Sequence, residues 1–188
     1  MKLFLIRHGQ TDCNVNKVYS GQSDAKLTEL GRRQAASLQP ILAHIPFDRV
    51  YSSDLNRAVD TQEIAIPEAK GIRDPLLREY DLGSLTGVSY QKVREKYGSL
   101  NSDYTPFGGE DPVMVCQRLQ AFLQKLEADP CDYAAAFTHN GVMKCMLRLL
   151  LGADANTSSV SNGNCNIAVV NYDGQRRTLL CWNYAANL

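Results

Sequence analysis

Three clusters of polar residues carry the side chains that could do chemistry, and each follows an apolar run of the sequence. The clusters are Arg7-His8-Gly9-Gln10-Thr11, Ser52-Ser53-Asp54-Leu55-Asn56-Arg57 and Thr138-His139-Asn140-Gly141. Open α/β sheets bind ligands beyond the carboxyl ends of their strands. If the apolar runs are neighbouring parallel strands, the two arginines and two of the three histidines therefore converge at one edge of the sheet.

Two guanidinium groups and two imidazoles together form a set of donors that suits a tetrahedral anion. Arginine can hold two oxygens of one phosphate through parallel hydrogen bonds. A helix that begins near Asn140-Gly141 would add backbone N–H groups and a partial positive charge. The sequence therefore predicts a phosphate site.

Each of these residues has a simpler interpretation when it is taken alone. A lone arginine such as Arg7 is most often an ion-pairing residue, and Arg57 near Asp54 is most often a surface charge. A lone histidine after a strand is usually a satisfied structural residue. The repetition of the pattern at three strand ends favours a site, whereas His44 lacks such neighbours and is predicted to be a surface or partly buried residue.

The overall charge excludes several classes of partner. The chain has 188 residues, with 20 Lys and Arg against 20 Asp and Glu. This balance gives no electrostatic footprint for nucleic acid or for an anionic membrane. A chain of this length predicts one compact domain over residues 1–188.

Other catalytic motifs are absent from the sequence. There is no cysteine-phosphatase loop C-x5-R, no phosphate-binding G-x-x-x-x-G-K-[ST], no dinucleotide-binding G-x-G-x-x-G and no zinc-binding H-E-x-x-H. A zinc site has little support from three histidines and no C-x-x-C pair. We therefore expect neither a metal nor a cofactor.

The spacing of the cysteines and the apolar run at the start of the sequence predict the cellular compartment. The apolar run before Arg7 has four residues, whereas a signal peptide needs about 7–15 and a membrane span about 20. The six cysteines are scattered and several lie in apolar runs. We expect them to be reduced in a cytoplasmic protein; the alternative is three disulfides in a secreted one.

The sequence alternates between strand and helix patterns, which predicts an α/β fold with a mostly parallel sheet. Predicted strands cover 2–7, 48–52, 133–138, 165–172 and 176–182, and predicted helices cover 28–44, 53–66, 89–97, 110–129 and 141–151. Pro40 predicts a break in the first helix, and the last helix is apolar nearly all round, which predicts deep burial. Asp173-Gly174 predicts a hairpin that adds an antiparallel edge. The stretch 74–109 is otherwise loop-rich, and long loops are usually functional.

Five blocks of residues lie in order along most of the chain. They are Arg7-His8-Gly9 with Asn14, Gly21, Asp24 and Leu27-Thr28-x-x-Gly31-x-x-Gln34-Ala35; Tyr51-Ser52-Ser53-Asp54-Leu55-x-Arg57-Ala58-x-x-Thr61; Leu77-Arg78-Glu79-x-x-x-Gly83-x-x-x-Gly87; Pro106 with Gly109-Glu110; and Thr138-His139. Together these blocks resemble the histidine phosphatase superfamily in its phosphoglycerate-mutase-like branch. The resemblance implies a three-layer α/β/α fold of the phosphoglycerate-mutase type.

The resemblance also implies a two-step phosphoryl transfer that requires no metal. His8 would attack phosphorus, and water would hydrolyse the phosphohistidine. Glu79 would protonate the leaving oxygen and then activate water, although the sequence leaves Asp81 as a rival carboxylate and a surface pair with Arg78 as a rival role. The residues implied to bind the phosphoryl group are Arg7, Asn14, Gly21, Arg57, His139 and Asn140.

The length of the chain favours a small phosphatase that acts on a phosphorylated metabolite. Within the family it is similar to α-ribazole phosphatases and to broad-specificity phosphatases. The alternatives are a phosphoglycerate-mutase-type transfer and, from another class, a phospho-ligand-binding module without catalysis. Asn140 and Leu85-Thr86 depart from the family pattern, which leaves the substrate open, and the oligomeric state is open between a monomer and a homodimer.

Overall fold

The fold is built on one sheet, seen in a computed structural model that describes residues 1–152, 157, 159–173 and 176–185. Its six strands are β1 (Lys2–Arg7), β2 (Arg49–Ser52), β3 (Ile72–Arg73), β4 (Tyr133–Thr138), β5 (Ile167–Asp173) and β6 (Arg176–Tyr184). The order across the sheet is β3-β2-β4-β1-β5-β6. The first four strands in that order run parallel, and β5 and β6 are antiparallel to their neighbours. A mostly parallel sheet with an antiparallel edge is confirmed.

The register of the three central strands explains why the polar clusters meet. β4 lies between β1 and β2, and its alanines at 134–136 pair with both neighbours. Arg7 is opposite Thr138, and Ser52 is opposite Phe137. The strands therefore end within one residue of each other, so the segments that follow them begin at the same edge.

Helices cover both faces of the sheet. They are α1 (Asp12–Val15), α2 (Glu29–Ser37), α3 (Gln39–Leu42), α4 (Asn56–Ala65), α5 (Tyr90–Tyr97), α6 (Pro112–Ala128) and α7 (Asn140–Leu151). Because strand side chains alternate between faces, Leu3 and Leu5 pack with α6 and α7, whereas Ile6 packs with α2, α3 and α4. The three layers implied by the resemblance are confirmed.

Several predicted boundaries were wrong by a few residues. The break that Pro40 predicts in the helix over 28–44 is confirmed, but it lies at Leu38: Pro40 is in the first turn of α3, which ends at Leu42 rather than at 44. A proline N–H is not needed in a first turn, so the chain restarts there. The helix predicted from Ser53 begins at Asn56, because the Ser53 hydroxyl instead accepts from the Leu55 N–H (3.3 Å) in a turn.

The C-terminal elements differ in two further ways. α7 is buried over its first two turns, but Leu151 at its end is 67% exposed, so the prediction of deep burial throughout was wrong. β5 begins at Ile167 rather than at 165, because Cys165 has a left-handed φ of 56°. Gly174 of the predicted Asp173-Gly174 hairpin lies outside the described residues.

The loop-rich stretch between α4 and α6 contains β3, α5 and three 3₁₀ turns at Pro75–Leu77, Gly83–Leu85 and Thr105–Phe107. The short helix predicted over 89–97 is confirmed as α5. Val18 and Ser89 form an isolated antiparallel bridge that ties this stretch to the segment after α1. In the part of the chain that the structure describes, no helix is long and apolar enough to cross a membrane.

Candidate active site

The carboxyl ends of β1 and β4, together with the start of α4, bring the predicted cluster together. His8 is 5% exposed, Arg57 is 1% exposed and His139 is fully buried. The rings of His8 and His139 have centroids 5.2 Å apart. The positive charges of Arg57 and Arg7 add to the effect of burial in lowering the pKa values of both histidines. Four of the residues selected from the sequence thus form one buried group.

The ring of His8 is oriented by its own neighbour. Its Nδ1 lies 2.7 Å from the carbonyl oxygen of Gly9, which can only accept, so Nδ1 carries the proton. Burial, Arg57 and Arg7 hold the pKa of His8 well below its ordinary value of 6.5. The imidazole is therefore neutral, and its Nε2 has the free lone pair that a nucleophile needs.

The backbone around His8 is fixed at several points. The His8 N–H donates to the Thr138 carbonyl (3.0 Å), and the His8 carbonyl accepts from the Asn164 side chain (3.0 Å). The Gly9 N–H donates to the Thr61 hydroxyl (3.0 Å). A Cβ at Gly9 would clash with the Gly31 carbonyl, so only glycine allows α2 to approach this closely. His8 is held as a rigid group.

Arg57 is not the surface charge that a lone arginine would be. Its guanidinium donates to the carbonyls of Gly21 (2.6 Å) and Ser23 (2.9 Å). The carboxylate of Asp54 pairs with Arg78 instead (2.6 and 2.7 Å). Arg7 likewise donates to a carbonyl, that of Asn162. Within the described residues, neither guanidinium hydrogen-bonds to a carboxylate, so both keep their charge available for a ligand.

Three buried polar atoms of this cluster have no hydrogen-bond partner in the protein. They are Arg7 Nε, Arg57 Nε and His139 Nδ1, among five such atoms in the described residues. A buried polar atom without a partner costs about 1–3 kcal/mol. His139 is neutral, because burial and then Arg57 lower its pKa, and its Nε2 lies 2.9 Å from the Ser53 hydroxyl. Three unpaired groups in one cluster indicate a site that receives an acceptor such as a phosphoryl group.

The carboxylate of Glu79 lies against the first turn of α7, the helix that directly follows His139. This carboxylate accepts from the N–H of Gly141 (3.1 Å) and of Tyr80 (3.0 Å). Burial lowers the pKa values of Arg7 and Arg57, and the negative charge of Glu79 opposes that effect by raising them. The alternative pairing with Arg78 is excluded by the Arg78–Asp54 bond. Asp81 is exposed and accepts from the N–H of Gly83, so Glu79 is the carboxylate at the cluster.

Comparison with known proteins identifies the family. The model of the histidine phosphatase superfamily, branch 1, matches residues 3–185. The chain belongs to this superfamily. It is 31% identical over 163 residues to the adenosylcobalamin/alpha-ribazole phosphatase of Salmonella typhimurium, with 80% of each chain covered. It is 37% identical over 122 residues to the 2,3-bisphosphoglycerate-dependent phosphoglycerate mutase of Rhizobium etli, covering 57% of this chain and 58% of that protein.

Solved structures agree with the family. The mycobacterial glucosyl-3-phosphoglycerate phosphatase, solved as a complex with VO3, superposes with a TM-score of 0.89 at 28% identity. The match covers 98% of this chain and 99% of that one. The phosphoglycerate-mutase-like fold implied by the sequence is confirmed.

Three further residues selected from the sequence lie around the cluster of this histidine phosphatase. Asn14 in α1 accepts through Oδ1 from the Thr11 N–H (3.1 Å) and from Asn164 (3.3 Å). Gly21 contributes its carbonyl to Arg57, in a backbone conformation with φ of 48°. Asn140 is the first residue of α7. Their direct binding of phosphate stays a prediction.

Residues that the sequence reasoning did not single out hold Glu79 in place. Arg118 on α6 donates to the carbonyls of Leu76 (3.0 Å), Arg78 (2.9 Å) and Glu79 (3.2 Å). It also makes two bonds to the carboxylate of Glu110 (2.7 and 2.8 Å). Glu110 was part of the family pattern in the sequence. Arg118 was not, and the only sequence feature that pointed to it was a basic residue eight positions after Glu110 on a predicted helix.

Within the described residues, no three acidic, imidazole or thiol groups come together in a way that could hold a metal ion. All six cysteines are free thiols.

Proposed function

We propose that this chain hydrolyses small phosphate monoesters through a phosphohistidine on His8. The observation that carries the proposal is the pairing of a neutral His8, whose Nε2 is unprotonated, with buried donors that have no partner among the described residues. A nucleophile and the donors for the charged oxygens thus occupy the same buried cluster. The membership of the chain in the superfamily and the phosphatases among its relatives support the same reaction.

In the first step, His8 Nε2 attacks phosphorus and the bond from phosphorus to the alcohol oxygen breaks. Arg7, Arg57 and His139 donate hydrogen bonds to the non-bridging oxygens, where positioning and electrostatic stabilisation supply most of the catalysis. Glu79 in its protonated form gives its proton to the leaving oxygen. The alcohol departs, and the phosphoryl group stays on the histidine.

In the second step, water replaces the alcohol. The carboxylate of Glu79 takes a proton from this water as the water attacks phosphorus, and the bond from phosphorus to Nε2 breaks. Inorganic phosphate leaves, His8 is again neutral, and Glu79 again carries its proton. The split into two displacements is the advantage of covalent catalysis.

The main experiment compares the wild-type chain with His8→Ala on 4-nitrophenyl phosphate, with and without a chelator. We expect turnover without added metal, inhibition by vanadate, and an acid-labile phosphate trapped on the wild-type protein only. The matched control is His44→Ala, because His44 is exposed and has no place in the mechanism. Full activity of His8→Ala, or strict dependence on a metal, would contradict the mechanism.

The second candidate function is a mutase, which the Rhizobium etli relative supports. A mutase of this kind returns the phosphoryl group of the histidine to an alcohol instead of to water. The two functions differ in their dependence on a bisphosphorylated primer. Product formation from a phosphoglycerate that rises with such a primer, while free phosphate stays low, would favour the mutase.

For the natural substrate we propose a small phosphorylated metabolite in the cytoplasm. Six free thiols suit a reducing compartment. A panel of phosphate monoesters, ranked by kcat/KM without added metal, tests the substrate class. Fractionation of cells that express a tagged chain tests the compartment.

A further inference from the structure

A row of four tyrosines runs from the acid group towards the surface. The ring centroids are 5.6 Å apart for Tyr80 and Tyr104, 6.3 Å for Tyr104 and Tyr19, and 4.6 Å for Tyr19 and Tyr90. All three contacts are edge-to-face. Tyr80 is 6% exposed, Tyr104 and Tyr19 are half-buried, and Tyr90 is 41% exposed. The row is therefore a continuous aromatic surface that opens to solvent at Tyr90.

The inner end of this row touches the catalytic group. Tyr80 follows Glu79 in the chain, and a Cβ at Gly141 would clash with both the Glu79 carboxylate and the Tyr80 ring. The two side chains therefore lie side by side against the first turn of α7. The aromatic row begins where the leaving oxygen of a substrate would receive its proton.

The outer end is fixed by backbone pairing with the segment that follows the nucleophile. The Tyr90 N–H donates to the Lys17 carbonyl (2.8 Å), and the Tyr19 N–H donates to the Val88 carbonyl (2.9 Å). This segment leaves α1, the helix that carries Asn14. Tyr19 and Tyr90 are thus held relative to the site by main-chain bonds.

The pKa of Tyr90 responds to its surroundings. Burial and then Tyr19 raise it, while Arg7 lowers it and Glu79 raises it. Tyr97, on the same helix, is about as exposed as Tyr90 (42%), but its ring packs on Phe107, with centroids 4.9 Å apart, and not on the row of tyrosines. Membership in the row, rather than exposure, therefore distinguishes Tyr90.

We infer that Tyr19 and Tyr90 form the wall that binds the alcohol part of the substrate, and that this part carries a flat aromatic ring. Aromatic rings prefer offset-stacked and edge-to-face contacts with one another, beyond the burial of apolar area. A ring bound on Tyr90 would extend the row by one member. This inference rests on the proposed phosphatase function and adds the class of substrate.

The test uses two esters that differ only in the aromaticity of one ring, 2-phenylethyl phosphate and 2-cyclohexylethyl phosphate. Both release a primary alcohol of nearly equal acidity, so the chemical step is matched. We expect the wild-type chain to prefer the phenyl ester by about two- to tenfold in kcat/KM, the range of one aromatic pair. The difference should lie in KM, because the wall binds the ring and does not touch phosphorus.

Three variants distinguish the contribution of the Tyr90 ring from that of its hydroxyl group and from a general effect of substituting a tyrosine on α5. Tyr90→Leu should abolish the preference, Tyr90→Phe should keep it, and Tyr97→Leu is the matched control that should keep it. A preference that survives in Tyr90→Leu, is absent from the wild type, or is lost in Tyr90→Phe would overturn the inference. Failure to hydrolyse any ester, 4-nitrophenyl phosphate included, would instead contradict the phosphatase function on which the inference depends. Urea unfolding of each variant confirms that it is folded.

Discussion

The two halves of the active site are held in place by different interactions. The strand-end half consists of Arg7, His8, Arg57 and His139, which follow the aligned ends of β1, β2 and β4. The loop half carries Glu79 on the stretch after β3, where the side chain of Arg118 holds three carbonyl groups, those of Leu76, Arg78 and Glu79. Main-chain register positions the first half, and distant side chains position the second.

This difference determines what each half tolerates. A sheet register involves many backbone bonds, so no single side chain determines where the strand-end half lies. The loop half depends on a few charged side chains, and removing one of them frees several carbonyl groups at once. Substitutions in the strand-end half should therefore affect chemistry most, whereas substitutions in the loop half should affect geometry and stability together.

The largest effect is expected for Arg57→Ala in the strand-end half. Removal of one buried donor to the transferring oxygens should lower kcat/KM by about 10²–10³. Steady-state kinetics on 4-nitrophenyl phosphate measures it, and urea unfolding shows whether the chain is still folded. The control is Arg33→Ala, whose side chain is exposed. Unchanged kinetics in a folded Arg57→Ala would contradict its role in binding phosphate.

Gly141→Ala tests the junction between the halves, and we expect the next largest effect. The added Cβ clashes with the Glu79 carboxylate and the Tyr80 ring. Misplacement of a catalytic group by about 1 Å can cost 10²-fold, so kcat should fall by about 10–10². Glu79→Asp shortens the carboxylate side chain by one methylene, so the double variant should lose less than the sum of the single losses. Strict additivity in that cycle would mean that the two positions do not touch.

The strand-end half could be predicted from the sequence because each of its parts is local. An apolar run followed by Arg7-His8 or by Thr138-His139 identifies a strand and the residues at its end, and the general rule for α/β sheets brings them together. The order of the strands was not contained in these local patterns. Nor was the bond between His139 and Ser53, which are 86 positions apart.

The loop half was predicted only through the resemblance to the family. The residues 74–109 show no periodicity that would place Glu79 rather than Asp81 at the cluster. What decides it is the N–H of Gly141, together with the bonds from Arg118. Both depend on tertiary contacts over about 40–60 positions of sequence separation, which local spacing does not encode.

Arg118→Met tests the loop half directly. The variant keeps the volume of the side chain in part but leaves the carbonyls of Leu76, Arg78 and Glu79 and the carboxylate of Glu110 without this donor. We expect about a tenfold loss in kcat with little change in KM, and a loss of about 1–3 kcal/mol in the free energy of unfolding. The control is Arg49→Met, which breaks the exposed pair with Asp129 (3.1 Å) and should leave the free energy of unfolding almost unchanged. Equal losses in the two variants would contradict the special role of Arg118.

The pH dependence of stability offers a smaller signal of the strand-end half. His8 and His139 have pKa values well below 6.5, chiefly because of burial. Below pH 6.5 the unfolded chain binds protons that the folded chain does not, so stability falls as the pH falls from 6.5 towards those lowered values. The slope is at most about 1.4 kcal/mol per pH unit for each histidine. Urea unfolding between pH 7.5 and 5.5 should show a shallower slope for His8→Gln and His139→Gln than for wild type. Slopes equal to that of wild type in both variants would contradict the neutral, buried histidines.

The smallest effect is expected for Asp54→Asn, which breaks the pair between the segment after β2 and Arg78 of the loop half, and its pH range is different. Arg78 lowers the pKa of Asp54 from its ordinary value of 3.8 through two hydrogen bonds, so the pair stabilises the folded chain above pH 3.8. This contribution is lost only as the pH falls below that value towards the lowered pKa. Because both side chains are partly exposed, the variant should lose under about 1 kcal/mol at pH 7. Its deficit should persist at pH 5 and shrink at pH 3, whereas the histidine effects develop between pH 6.5 and 5.5. A deficit that already shrinks at pH 5.5 would mean that the carboxylate of Asp54 does not carry the charge in this pair.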